Sequence, residues 1–329
     1  MDKIPGKSLR SREFSAISRE SRVFLFAQLG DILGQLQQLH FPRSGSLFPD
    51  SKSSAKFTIG NSLHLIENDN AVNAGGYEKS WATFSHAFDA AKGMFTILKQ
   101  HYEIPVAGDS PDDTIKHELF AIDSLASSLS DSTHPFWSRD TPFMLSHGDL
   151  RCENIMVDEN MNIKAIIDWE WVVILPQQLC TPPLWVYGLN TNGNLHDREI
   201  IEDFQSAITQ DNTYREYLQY WRCNEQYLPL AQILRYPHFL SDIYYADVFP
   251  RLHSEPFSVV AASFFADEEH KKELQERLAA AEHYNEYLEE NGLYVEDEIS
   301  EEQQEWIKKA DELLLRLKLA DLESERHVS

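Results

Sequence analysis

Apolar residues recur at helical spacing over most of the chain. The clearest run extends from Ala16 to His40, where apolar side chains return every three or four residues until Phe41 and Pro42 interrupt the pattern. We therefore predict a long amphipathic helix in this segment. The same spacing predicts further helices at about residues 81–101, 113–129, 197–209, 212–223, 228–245, 267–290 and 300–319.

The pattern changes in the centre of the chain. Ile155–Val157 and Ile163–Ile167 are short apolar runs on either side of the polar segment 158–162, which is typical of a β-hairpin. Residues 43–80 mix Ser, Gly and Pro with short apolar pieces, so we predict loops there with a short strand at Lys56–Ile59. The chain is thus predicted to be an α+β protein that is mainly helical, with one small central β-hairpin.

Composition narrows the classes of function. Among 329 residues, 53 are acidic and 29 are basic, and the formal charge of −24 disfavours binding to nucleic-acid phosphates or anionic lipid. No run approaches the roughly 18 apolar residues of a membrane helix, and the first residues lack an apolar signal core. Cys152, Cys180 and Cys223 show no disulfide or zinc pattern. We expect a cytoplasmic protein that binds neither nucleic acid nor membranes.

Acidic residues are concentrated towards the C-terminus. Residues 267–329 hold 20 Asp or Glu and 8 Lys or Arg, so about half of the net charge lies there. We therefore divide the chain into a domain at residues 1–265 and an acidic, helical C-terminal extension at residues 266–329. The extension could bind a protein partner, and a solvated helical face accounts for the same pattern.

A polar loop with the sequence His147-Gly-Asp-Leu-Arg-Cys-Glu-Asn154 precedes the predicted hairpin, and Asp168 follows its second strand. Because a hairpin returns the chain to its origin, Asn154 and Asp168 are expected to lie side by side. Their amide and carboxylate oxygens suit Mg²⁺, which fills its other positions with water and substrate phosphates. Asp149 is not needed for the metal and is placed to accept the proton of an attacking hydroxyl.

The motif His147-Gly-Asp-x-x-x-x-Asn154, followed by Ile-Ile-Asp168-Trp-Glu, resembles the catalytic and metal motifs of the aminoglycoside phosphotransferase and choline kinase-like family. That family is a branch of the protein-kinase-like fold, and the predicted fold is its C-terminal lobe. The resemblance implies that Asp149 is the catalytic base and that Asn154 and Asp168 bind Mg²⁺. It also implies that His147 is a structural support of the catalytic loop.

The opening sequence Lys-Ile-Pro-Gly-Lys-Ser-Leu is similar to the segment that, in this family, leaves the hinge between the two lobes. In the family, backbone groups at the hinge hold the adenine of ATP. By this resemblance Ile4, Pro5 and Gly6 would contact ATP, and residues 1–265 would form a hinge remnant and the C-terminal lobe.

The chain also departs from the family pattern. A complete member carries, before the hinge, a β-rich lobe with a phosphate-covering loop and a strand lysine. Lys56 is the one strand-like lysine before the catalytic loop, and no Gly-rich loop precedes it, so we expect this lobe to be missing.

Three interpretations therefore stay open. The chain is an ATP- and Mg²⁺-dependent phosphotransferase for the hydroxyl of an unidentified small molecule, with activity that truncation weakens or abolishes. Alternatively, it is a catalytically silent kinase-like lobe that acts through partners. The third interpretation is an unrelated helical protein with a coincidental loop, because short motifs also occur by chance.

Overall fold

The computed structural model describes residues 5–10, 14, 16–50, 53–62, 83–105, 111–137, 140–187, 198–208 and 215–293. Ile4 of the predicted nucleotide site and the helix predicted at 300–319 lie outside the described residues. The chain divides into two compact units, Met1–Ile104 with Asp112–Arg277, and Pro105–Pro111 with Leu278–Ser329. The boundary between residues 265 and 266 and the partner surface of the acidic extension stay predictions.

Helices and helical turns make up most of the described residues, as predicted. None of the helices in these ranges has both the length and the apolar character that a membrane crossing demands. In chain order they are α1 (Arg19–Gln37), α2 (Ala87–Glu103), α3 (Pro111–Ser128), α4 (Arg198–Ile208), α5 (Arg215–Cys223), α6 (Leu228–Arg235), α7 (Leu240–Ile243), α8 (Phe249–Leu252), α9 (Phe257–Phe264) and α10 (Glu268–Glu290).

The helix predicted over residues 228–245 is wrong in one respect, because it is interrupted. α6 ends at Arg235, and Tyr236 leaves the helical conformation with φ −131° and ψ 69°. Pro237 follows, and the proline ring disfavours helical backbone at the residue before it. A π-helical turn, Tyr244–Val248, then separates α7 from α8.

The strands in the described part of the chain are β1 (Lys7–Ser8), β2 (His40–Phe41), β3 (Ser46–Asp50), β4 (Ser53–Gly60), β5 (Phe143–Ser146), β6 (Ile155–Val157), β7 (Ile163–Ile166) and β8 (Val173–Pro176). They form three small antiparallel sheets with strand orders β1-β6-β7, β2-β5-β8 and β3-β4. The predicted hairpin is confirmed as β6 paired with β7.

The expectation of a single small β element is therefore wrong, for a physical reason. β2 has two residues, too few to show alternation, and it exists because His40 and Phe41 pair with Met144 and Phe143, far away in the chain. The strand predicted near Lys56 is part of a longer hairpin, in which β4 pairs with β3.

The core of the first unit joins α1 to the centre of the chain through aromatic side chains. Phe26 of α1 is fully buried. Its ring stacks on Trp185 at 5.7 Å between centroids and meets Phe204 of α4 edge-on at 5.2 Å. Such aromatic pairs add to the stabilisation that burial of their surface provides. α1 and α4 are thereby packed against the segment that follows β8.

A buried ion pair also connects α1 and α4. The guanidinium Nε of Arg22 donates a hydrogen bond of 2.8 Å to Oδ2 of Asp203, and its NH2 lies 2.7 Å from the same oxygen. Arg19 donates from Nε to Oδ1 of Asp203 at 2.8 Å. The side chains of Arg22 and Asp203 are 9% and 2% exposed, whereas that of Arg19 is 64% exposed. The two arginines therefore share one buried carboxylate.

Replacing Asp203 should destabilise the fold strongly. Asp203→Ala leaves the buried charge of Arg22 with only the exposed carboxylate of Glu199, 3.7 Å away, and should cost about 3–5 kcal/mol in the free energy of unfolding. Arg19→Ala removes an exposed partner of the same carboxylate and should cost about 1 kcal/mol or less. Urea denaturation of both variants measures the difference, and equal losses would contradict this account of the ion pair.

Candidate active site

The loop that carries the predicted catalytic residues lies between β5 and β6. Ser146, the last residue of β5, pairs with Val173 of β8, and a 3₁₀ turn ending at Asn154 leads into β6. A Cβ atom at Gly148 would lie 2.1 Å from the carbonyl oxygen of Trp171. Since real Cβ atoms do not approach that closely, glycine is required there. The loop thus passes in direct contact with the backbone that follows Asp168.

The register of the hairpin brings Asn154 next to the residues that precede Asp168. Ile155 pairs with Ile166, and the amide of Ile167 donates a 2.9 Å hydrogen bond to the carbonyl oxygen of Asn154. Asp168 is the next residue along the chain. The expectation that the two candidate metal ligands lie side by side therefore agrees with the backbone pairing.

Asn154 is buried, and its side chain is fixed by the loop. Its Nδ2 donates to the carbonyl oxygen of Asp149 at 2.8 Å and to Oδ2 of the same residue at 3.2 Å. Both amide hydrogen bonds are thus directed at Asp149. The amide Oδ1 accepts no hydrogen bond from the described residues, which leaves it as a ligand atom for a cation.

Asp168 has an unusual backbone conformation. Its φ of 68° and ψ of 48° lie in the left-handed region, which costs a residue with a Cβ roughly 1–2 kcal/mol but is best tolerated by Asn and Asp. The side chain is exposed, and within the described residues its carboxylate makes no hydrogen bond or ion pair. Strained backbone of this kind is concentrated at functional sites. The carboxylate is therefore open to a cation.

Asp149 is held from two sides. Besides the amide of Asn154, the Nε of Arg151 lies 3.2 Å from its Oδ2. The side chain of Asp149 is 19% exposed and that of Arg151 is 62% exposed. The carboxylate is consequently oriented by neighbours and still reachable from solvent. Arg151 was not singled out from the sequence, although its place two residues after the predicted base was a usable signal.

His147 ties the loop to the segment that carries Asp168. The ring is 3% exposed, and its Nε2 lies 2.8 Å from the carbonyl oxygen of Ile167. Since a carbonyl only accepts, Nε2 carries the proton. The ring also packs against Trp169, with 4.6 Å between centroids. These contacts fit the structural support expected of His147.

The turn between β6 and β7 is held by its own residues and by α1. Asp158 accepts hydrogen bonds from the backbone amides of Asn160 and Asn162, and its carboxylate pairs with Lys164 at 2.9 Å. Hydrogen bonding from Lys164, and then from Asn162, holds the pKa of Asp158 well below its usual range. The carboxylate is therefore ionised at neutral pH and maintains the turn.

Gln28 of α1 was missed by the sequence analysis. Its Nε2 donates to the carbonyl oxygen of Met161 at 3.0 Å, and its Oε1 accepts from the amide of Ile163 at 3.0 Å. One side-chain amide thus satisfies a donor and an acceptor of the hairpin backbone, as a neighbouring strand would. Nothing in the local sequence marks Gln28, because its partners are far away in the chain.

Pro5 and Gly6 lie beside the same hairpin. β1 pairs with β6, and Lys7 lies opposite Val157. Gly6 has a φ of 117°, and a Cβ there would lie 2.5 Å from the carbonyl oxygen of Val157. Val157 is three residues after Asn154, which corresponds to about 10 Å along a strand. The opening segment and the candidate metal ligands thus flank the strands of one small sheet.

The donor set fits a magnesium ion that also binds a substrate. Among the described residues, no group of three or more His, Cys, Asp and Glu side chains is placed to hold a metal by itself. Asn154 and Asp168 offer two hard oxygen ligands, and Mg²⁺ in phosphoryl-transfer sites typically takes one or two protein ligands plus phosphates and water.

Comparison with known proteins agrees with this arrangement. The model of a family described as "APH: Phosphotransferase enzyme family" matches residues 1–176, which include all the strands of the described chain and every candidate site residue. A search of the curated proteins gives no match. The matched segment is just over half of the 329 residues. The chain therefore belongs to the phosphotransferase enzyme family, the aminoglycoside phosphotransferase and choline kinase-like group to which its motifs pointed.

Proposed function

We propose that the protein transfers the γ-phosphoryl group of ATP, with Mg²⁺, to the hydroxyl group of a small molecule. The observation that carries the proposal is the convergence of Asp149, Asn154 and the backbone before Asp168 at one end of the β6–β7 hairpin. Phosphoryl transfer depends on positioning and charge stabilisation, so a rigid set of this kind is what the reaction needs.

Asp149 is proposed as the catalytic base. Its carboxylate would accept the proton of the acceptor hydroxyl while that oxygen bonds to phosphorus and the bond to the ADP oxygen breaks. Asn154 and Arg151 would keep the carboxylate in position, since both donate towards Oδ2. The partial exposure of Asp149 leaves room for the acceptor.

Asn154 and Asp168 are proposed to hold Mg²⁺ through the amide Oδ1 and the carboxylate. When bound, the ion would neutralise charge on the phosphate oxygens. Ile4, Pro5 and Gly6 are proposed to contact the adenine of ATP, in keeping with the family resemblance. Gly6 directly precedes β1 and Asn154 directly precedes β6, and the pairing of these two strands supports that part of the proposal.

Binding of Mg·ATP should raise the midpoint of thermal unfolding, because a ligand that binds only the folded chain stabilises it. Asp168→Asn keeps the shape and the left-handed conformation but removes the charge. We expect it to weaken Mg·ATP about tenfold or more, equivalent to about 1.4 kcal/mol. Glu159→Gln is the matched control, since it removes an exposed carboxylate from the turn of the same hairpin. If Mg·ATP leaves the unfolding midpoint of the parent protein unchanged, the proposed nucleotide site is overturned.

Loss of the base should affect turnover and leave nucleotide binding intact. Asp149→Asn is expected to lower the rate of ATP turnover by about 10²–10⁴-fold, which is the usual contribution of a general base. Hydrolysis of ATP, in which water replaces the unidentified acceptor, is the measurement, and the Mg·ATP-dependent thermal shift is the control. Binding by the parent protein without any turnover would instead favour a catalytically silent lobe.

A further inference from the structure

A small cavity lies beneath the catalytic loop, on the side of the helical core. Its volume is about 30 Å³, which is room for about two water-sized groups. Its polar lining includes His147 of the loop, Ser146 at the end of β5, Thr181 after β8 and Arg235 at the end of α6, and leucine and tyrosine side chains form much of the remainder. The site described above uses none of these residues except His147.

Arg235 brings a positive charge to this cavity, and no carboxylate of the described residues pairs with it. The residue is 9% exposed. One terminal nitrogen lies 3.3 Å from the carbonyl oxygen and 3.4 Å from the hydroxyl of Thr181, and the other donates to the hydroxyl of Ser146 at 3.0 Å. The guanidinium also lies 5.1 Å from the ring centre of Tyr236. All of these partners are neutral.

Arg22 shows how this chain otherwise accommodates a buried arginine. Arg22 is 7% exposed, similar to Arg235, and a buried carboxylate lies 2.7 Å from its guanidinium. Within the part of the chain that the structure describes, no Asp or Glu lies within ion-pair distance of Arg235. A buried charge without a counter-ion is strongly unfavourable. The comparison indicates that Arg235 lacks a counter-charge among the described residues, and an anion bound in the cavity would supply one.

The hydroxyl groups of Ser146 and Thr181 lie beside Arg235 and line the cavity. Since Ser146 and Thr181 each accept a hydrogen bond from the guanidinium, each retains its own proton for another acceptor. Cys180 does not supply the missing negative charge, because burial raises the pKa of its thiol to about 12. The cavity thus offers one cation and two hydroxyl protons.

We propose that this cavity binds a small monovalent anion of the size of chloride, held by Arg235 and by the hydroxyls of Ser146 and Thr181. The volume matches one such ion and one water.

Besides the anion, the cavity has room for one water, and that water would explain the buried ring nitrogen of His147. Nδ1 of His147 is buried and has no hydrogen-bond partner among the described residues. Since Nε2 is occupied by the carbonyl oxygen of Ile167, a water beside the anion would be the hydrogen-bond partner of Nδ1. The anion site therefore supports the loop from below, through the residue that contacts Ile167. This inference does not depend on the proposed phosphotransferase activity.

Thermal unfolding of the full chain at constant ionic strength tests the proposal. The total salt concentration is kept at about 0.2 M, and sodium chloride replaces sodium gluconate in steps. The gluconate anion is much larger than chloride and serves as the reference. The unfolding midpoint should rise with chloride and level off as the site fills, and bromide should act in the same way. A midpoint that is equal in chloride and gluconate would overturn the proposal and indicate a cavity that holds water alone.

Substitutions test whether the stabilisation by chloride arises at Arg235. Arg235→Gln should abolish the difference between chloride and gluconate, whereas Arg198→Gln, at a side chain that is 90% exposed, should leave it unchanged. Thr181→Val is the second variant, to be used if Arg235→Gln does not fold. It removes one hydroxyl group from the cavity and should weaken chloride binding while preserving the fold. Broadening of the ³⁵Cl NMR line by the unmodified protein, reversed by bromide, reports binding directly, and its absence would contradict the site.

Discussion

The antiparallel pairing of β6 with β7 is the constraint on which the candidate site depends, because it places Asn154 beside the residues that lead into Asp168. The hydrogen bond from the amide of Ile167 to the carbonyl oxygen of Asn154 fixes that register. A slip by one residue would turn every side chain of one strand to the opposite face. His147 depends on the same register, since its ring contacts the carbonyl oxygen of Ile167.

The helical part of the fold holds this small hairpin in place. Gln28 of α1 contacts the hairpin turn through both ends of its amide. Trp185, which packs on Phe26 of the same helix, donates from its indole nitrogen to the carbonyl oxygen of Leu150 at 3.0 Å. A hairpin of three and four residues is not stable alone in water. The orientation of the loop that carries Asp149 is thus set by packing against helices.

The net negative charge of the chain and the single charges near the loop have to be considered separately. About half of the −24 net charge lies after residue 266, away from the catalytic loop in the sequence. Near the loop, individual charges matter more than their sum: Arg151 orients Asp149, and Arg235 brings a cation beneath the loop. The overall acidity therefore says little about the groups that meet a substrate or an anion.

The sequence by itself determined most of the longer helices, the β6–β7 hairpin and the motif that links Asp149, Asn154 and Asp168, because helical periodicity and motif spacing are local properties. It also showed the family. Only the tertiary structure decided which distant residues meet, such as Gln28 with Met161, 133 residues apart, and Arg22 with Asp203. The pairing of the short strand β2 and the neutral surroundings of Arg235 also depend on residues that are distant in the chain. Such contacts depend on how separate elements pack, and no local pattern of residues encodes that packing.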